Sequence, residues 1–68
     1  MDIKLIGQNA GKIWQNLDSE GETSLSELVK KTKLDTNNFF IALGWLAREN
    51  KIFFYNNPNG ELFITLIY

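Results

Sequence analysis

Three helical patterns followed at once by a β-hairpin predict an α+β fold for this chain of 68 residues. Three observations carry the prediction. Apolar residues recur at helical spacing in three separate stretches. Each stretch is preceded by a residue able to cap a helix: Asp2, Ser24 and Asp35. The C-terminal part then holds two strand-like runs around Asn57-Pro58-Asn59-Gly60.

The first pattern runs from about Ile3 to Leu17, with Ile3, Ile6, Ala10, Ile13, Trp14 and Leu17 on one stripe. Gly21, within the polar stretch from Asp18 to Glu22, is the expected stop. Gly7 and Gly11 each cost a helix about 1 kcal/mol and share a face. Their expected compensation is the close approach of another backbone or a bulky ring. Residues 22–24 fit a very short strand. Ser24-Leu25-Ser26-Glu27 has the spacing of a capping box and opens a second helix with Leu25, Leu28 and Val29 as its apolar stripe. Lys30, Lys31 and Lys33 fall at its end, where positive charge suits the helix dipole. After a turn at Leu34, the third helix runs from Thr36 to about Asn50 on a core stripe of Phe39, Leu43, Leu46 and Ala47. A short turn between two helices, the second one longer, is the helix-turn-helix layout.

Lys51–Asn56 and Glu61–Leu66 read as paired strands. Pro58 and Asn59 suit the centre of a type I turn, with Gly60 in the left-handed region. That loop pairs Asn57 with Glu61, Tyr55 with Phe63 and Phe54 with Ile64. One face then carries Ile52, Phe54, Leu62, Ile64 and Leu66. The other carries Phe53, Tyr55, Phe63, Thr65 and Ile67, with Tyr68 extending it. Helices followed by a hairpin in this order make a winged helix-turn-helix, read as a single domain over residues 1–68.

Composition narrows the function. Seven basic and eight acidic residues give a net charge of −1, without the basic excess that marks a strong nucleic-acid binder. The chain has no Cys and no His, so disulfides are excluded and a structural zinc is not expected. No apolar run has the length of a signal peptide or a membrane span. The reading is a soluble, cytoplasmic protein without a cofactor, metal or membrane partner. Nor is an enzyme expected. No base accompanies the hydroxyls, and Asp18, Glu20 and Glu22 sit in a short polar loop that cannot shield them from water.

Three stretches resemble a family of small prokaryotic winged helix-turn-helix domains of largely uncharacterised function. They are Ile6-Gly7-Gln8-Asn9-Ala10-Gly11-Lys12-Ile13-Trp14, then Ser24-Leu25-Ser26-Glu27-Leu28, and then Ala42-Leu43-Gly44-Trp45-Leu46-Ala47-Arg48-Glu49 leading into Lys51-Ile52. The resemblance covers nearly the whole chain. It implies the fold, and a generic DNA-binding role through the fold. This chain departs from it where Phe53 and Tyr55 replace the charges expected on the outer strand positions.

Two surfaces stand out for binding. In this fold the second helix of the helix-turn-helix enters the major groove. Opposite Phe39, that helix presents Asn37, Ile41, Gly44 and Arg48; Asn37 and Arg48 suit base edges or phosphates. Lys30, Lys31 and Lys33 stand where the DNA backbone would pass. The wing tip, Asn56 to Glu61, carries no positive charge, so a monomer would bind weakly and in a salt-sensitive way. A lone small domain normally keeps one sheet face polar. Here Phe53, Tyr55, Phe63 and Ile67 stand on the outer face, which points to a homodimer built on the hairpin. Trp45 is expected to pack on the first helix near Gly11 and Trp14. The expected partners are therefore a second copy of the chain and double-stranded DNA. The alternative is a protein-interaction or assembly module that uses the aromatic hairpin and has lost DNA.

Overall fold

The computed structural model describes residues 2–67. Along the chain come α1 (Ile3–Glu20), β1 (Thr23–Ser24), α2 (Leu25–Thr32), α3 (Thr36–Arg48), β2 (Ile52–Asn56) and β3 (Leu62–Leu66). This is the winged helix-turn-helix order, with the short extra strand.

Local chemistry sets each boundary. The Asp2 carboxylate caps α1 by accepting from the Lys4 N–H at 3.0 Å. The helix runs on past Leu17 to Glu20 and stops at Gly21, which takes φ 79°. Its N–H closes the helix onto the Leu17 carbonyl at 2.9 Å. Ser24 caps α2, its Oγ accepting from the Glu27 N–H at 3.2 Å. Asp35 caps α3 through the Asn38 N–H at 2.8 Å and also holds the Asn38 amide nitrogen at 2.9 Å.

The end of α3 is a Schellman turn. The Asn50 N–H donates to the Ala47 carbonyl at 3.1 Å and the Lys51 N–H to the Leu46 carbonyl at 3.0 Å, with Asn50 at φ 58°. Asparagine tolerates that left-handed conformation. The turn delivers the chain from α3 into β2 within a few residues. It also explains why α3 ends at Arg48 rather than near Asn50.

The three strands form an antiparallel sheet in the order β1-β3-β2. Tyr55 faces Phe63 and Phe54 faces Ile64, the register expected from the turn. The Asn57 N–H donates to the Glu61 carbonyl at 2.9 Å, the Gly60 N–H to the Asn57 carbonyl at 2.9 Å, and Gly60 sits at φ 82°. Thr23 pairs with Ile64 and Ser24 with Phe63, so β3 is central and β2 is an edge strand.

The core gathers Ala10, Ile13 and Leu17 of α1, Leu28 of α2, Phe39, Ala42, Leu43 and Leu46 of α3, and Ile52, Ile64 and Leu66 of the sheet. Phe39, Ile13, Leu17, Leu28 and Ile64 are its largest fully buried side chains. Three details differ from the sequence reading. Ile3, expected on the buried stripe of α1, is 74% exposed, because it lies in the first turn beyond the elements that cover the helix. Ala42 is fully buried although it lies outside the expected stripe of α3. Phe54 lies on the inner sheet face yet is 42% exposed.

Candidate nucleic-acid interface

On α3, Phe39, Ala42, Leu43 and Leu46 face the core. A helix turns about 100° per residue, so Asn37, Ile41, Gly44 and Arg48 fall on the opposite side, and all four are exposed. They form one outward stripe on the helix that follows the turn. Asn37 lies in its first turn and Arg48 is its last residue. At roughly 1.5 Å per residue they stand about 16 Å apart along the axis. They therefore address different parts of any duplex lying along the helix.

The lysines gather at the Asn37 end. Lys30 and Lys31 occupy the last turn of α2, and Lys33 follows as its C-cap. All three are exposed. Lys33 takes φ 58° and ψ 21°, a left-handed conformation disfavoured for a residue with a Cβ. The Lys31 ammonium lies 3.5 Å from a Glu20 carboxylate oxygen, an exposed ion pair that clips the end of α2 to the end of α1. Lys30 and Lys33 make no ion pair with any described residue. A phosphate near this corner thus meets two unpaired lysines, and competes with Glu20 for the third. Exposed pairs of this kind are weak, so the competition is mild.

The second surface is the outer face of the hairpin. Phe53 is 49% and Ile67 46% exposed, so α1 does not cover them. Tyr55 and Phe63 stack across the strands with ring centroids 5.7 Å apart and planes 20° from parallel, and shield each other in part. Tyr68, expected to extend this patch, lies outside the described residues.

Trp45 lines the same space as Gly11 and Trp14, the place expected for it, but it is 42% exposed rather than part of the core. Gly7 and Gly11 receive no ring or backbone from the described residues, since a Cβ built on either meets nothing within 4 Å among them. Instead the two glycines and both tryptophans line an open groove between α1 and the end of α3. The spacing of the glycines marked this face in the sequence. What the spacing left open is whether the face is filled.

The arrangement is that of a winged helix-turn-helix domain. The family model for the winged helix-turn-helix domain DUF2582 matches residues 1–66, and the chain belongs to that family. Over 51 residues, or 71% of each chain, it is 49% identical to the uncharacterized protein MJ1608 of Methanocaldococcus jannaschii. The solution NMR structure of protein BT2368 from Bacteroides thetaiotaomicron is similar at a TM-score of 0.79 and 42% identity, covering 97% of this chain and 79% of that one. The Zα domain of PKZ from Carassius auratus, solved in complex with Z-DNA, is similar at a TM-score of 0.73 over 91% of this chain and 97% of that one. At 24% identity that likeness is one of fold.

Proposed function

We propose that this domain is a non-catalytic, homodimeric DNA-binding module of the transcription-regulator type, cytoplasmic, with weak, salt-sensitive affinity. The observation that carries the reading is the outward stripe of α3. It leaves Asn37 and Arg48 exposed on the helix that enters the major groove in this fold, with Lys30, Lys31 and Lys33 beside its first turn. The Zα neighbour's complex with Z-DNA supports this through the shared fold. In this reading Asn37 meets base edges, and the lysines and Arg48 meet phosphates. Four cations per protomer neutralise few phosphates, so useful affinity requires two protomers on one duplex.

The hairpin supplies the dimer contact in this proposal, through Phe53, Tyr55, Phe63 and Ile67. Their exposed apolar area, on the order of several hundred Å², has the scale that marks interfaces. A second reading rests on the same patch. With a net charge of −1, the domain works as an assembly module that uses the hairpin and leaves DNA alone.

An NMR titration of labelled protein with a short duplex, at low and then physiological salt, separates the two. Shifts confined to Asn37, Arg48 and residues 30–33 that fade as salt rises support the DNA reading. A spectrum unmoved at low salt rejects it and leaves the assembly reading.

A further inference from the structure

Neither reading assigns a role to the groove between α1 and α3. Its volume is about 480 Å³, and it is lined by Gly7, Ala10, Gly11, Trp14, Trp45 and Leu46 together with Glu49 and Lys51. That volume lies within the roughly 300–1,000 Å³ of small-molecule sites, and the lining combines apolar and aromatic walls with a few polar groups as such sites do. We propose that this groove binds a small aromatic zwitterion of the free aromatic amino-acid class, its ring between Trp14 and Trp45 and its two charges on Glu49 and Lys51.

The walls argue for an aromatic guest. Trp14 comes from α1 and Trp45 from α3, and they are the only tryptophans in the chain. Trp45 lines the groove and is 42% exposed, so its indole offers a surface on which another ring can stack or which it can meet edge-on. The floor between them is open: among the described residues, no neighbour lies within 4 Å of a Cβ built on Gly7 or Gly11. Among the described residues, none therefore occupies the space that these helix-weakening residues leave open.

The charges argue for a zwitterion. Glu49 and Lys51 line the same groove on either side of the left-handed Asn50. Neither forms an ion pair with any described residue, including each other. An ammonium suits Glu49 and a carboxylate suits Lys51, so a guest carrying one of each satisfies both. A plain hydrocarbon satisfies neither. A simple acid or amine satisfies one.

The proposal does not depend on DNA binding. Its test uses the fluorescence of Trp14 and Trp45, which reports from the groove alone, and the amide signals of Gly7 and Gly11. L-phenylalanine, which does not interfere with tryptophan emission, is titrated alongside phenethylamine and hydrocinnamate, which lack the carboxylate and the ammonium respectively. L-phenylalanine is expected to shift the emission and both glycine amides saturably, and the two analogues to bind about tenfold or more weakly. Lys51→Gln should abolish the preference over phenethylamine, and Glu49→Gln the preference over hydrocinnamate. Gly11→Leu fills the floor with a good helix former and should abolish the response while the circular dichroism spectrum stays native. Gly11→Ala is the milder filling variant if the leucine disturbs the fold. Absence of a saturable response to L-phenylalanine overturns the proposal. So does a response that survives Gly11→Leu, or a dimer that Gly11→Leu converts to monomer, which would give the groove to a second copy.

Discussion

Lys33 and the helix glycines show where single residues set the stability of this domain. Lys33 holds a left-handed conformation at φ 58°, in which a Cβ crowds the following carbonyl at a cost of about 1–2 kcal/mol. Lys33→Gly removes that crowding and restores some unfolded-chain entropy, for a net gain of roughly 1 kcal/mol. Urea unfolding should show a higher midpoint, and DNA affinity should fall in the same variant if Lys33 meets phosphate. Gly7 and Gly11 act in the opposite sense. Each adopts an ordinary helical φ with open space around it, so Gly7→Ala and Gly11→Ala should each stabilise by about 0.4–1 kcal/mol. At roughly 4–8 °C per kcal/mol for a domain of this size, calorimetry would resolve the rise in Tm. No rise in either variant would mean that the glycine face is filled in solution.

Among the elements, α3 carries both the core and the outward stripe. Phe39 is fully buried and meets Phe40 edge to face, with centroids 5.2 Å apart. Phe39→Ala should cost about 3–5 kcal/mol, a large share of the stability of a small domain, and chemical denaturation would show a largely unfolded chain. The hairpin behaves differently, because much of its apolar surface faces outward. Asn57 pairs with Glu61, and the Ile67 N–H donates to the Lys51 carbonyl at 2.9 Å. The alternation of an antiparallel ladder then turns the backbone groups of Ile52, Phe54 and Asn56 to the open edge of β2. Both the face and this edge invite a second copy. Phe53→Glu combined with Phe63→Lys should yield folded monomers in sedimentation velocity. A dimer that persists in that variant removes the hairpin face from the interface.

For the molecule as a whole, charge decides how DNA binding would look. With a net charge of −1, long-range attraction to a polyanion is absent and binding rests on local cations. Each phosphate contact contributes about 0.9 to the slope of log affinity against log salt. Arg48→Ala with Lys31→Ala should lower that slope by about 2, measured by fluorescence anisotropy on a labelled duplex, without altering the sedimentation coefficient. An unchanged slope would place the contact elsewhere. No helix among the described residues is long and apolar enough to cross a membrane.

Most of the fold was legible in the chain because its signals are local. Asp2, Ser24 and Asp35 accept from backbone N–H groups two or three residues on. Gly21 and Gly60 sit where a positive φ is needed. The loop chemistry of Asn57 to Gly60 fixes a register that pairs Tyr55 with Phe63. Pattern alone also separated the outward stripe of α3 from its core stripe, since both follow the helical period. Exposure at the margins was not legible. Ile3 and Trp45 have core-like chemistry, but burial depends on what other elements reach, and none reaches far enough to cover them. The sequence by itself thus determined the order of elements, the caps and the strand register. Only the tertiary structure decided that the space over Gly7 and Gly11 is a groove walled by Trp14 and Trp45. Whether two distant segments meet or stand apart is set by the packing of whole helices, which no local pattern encodes.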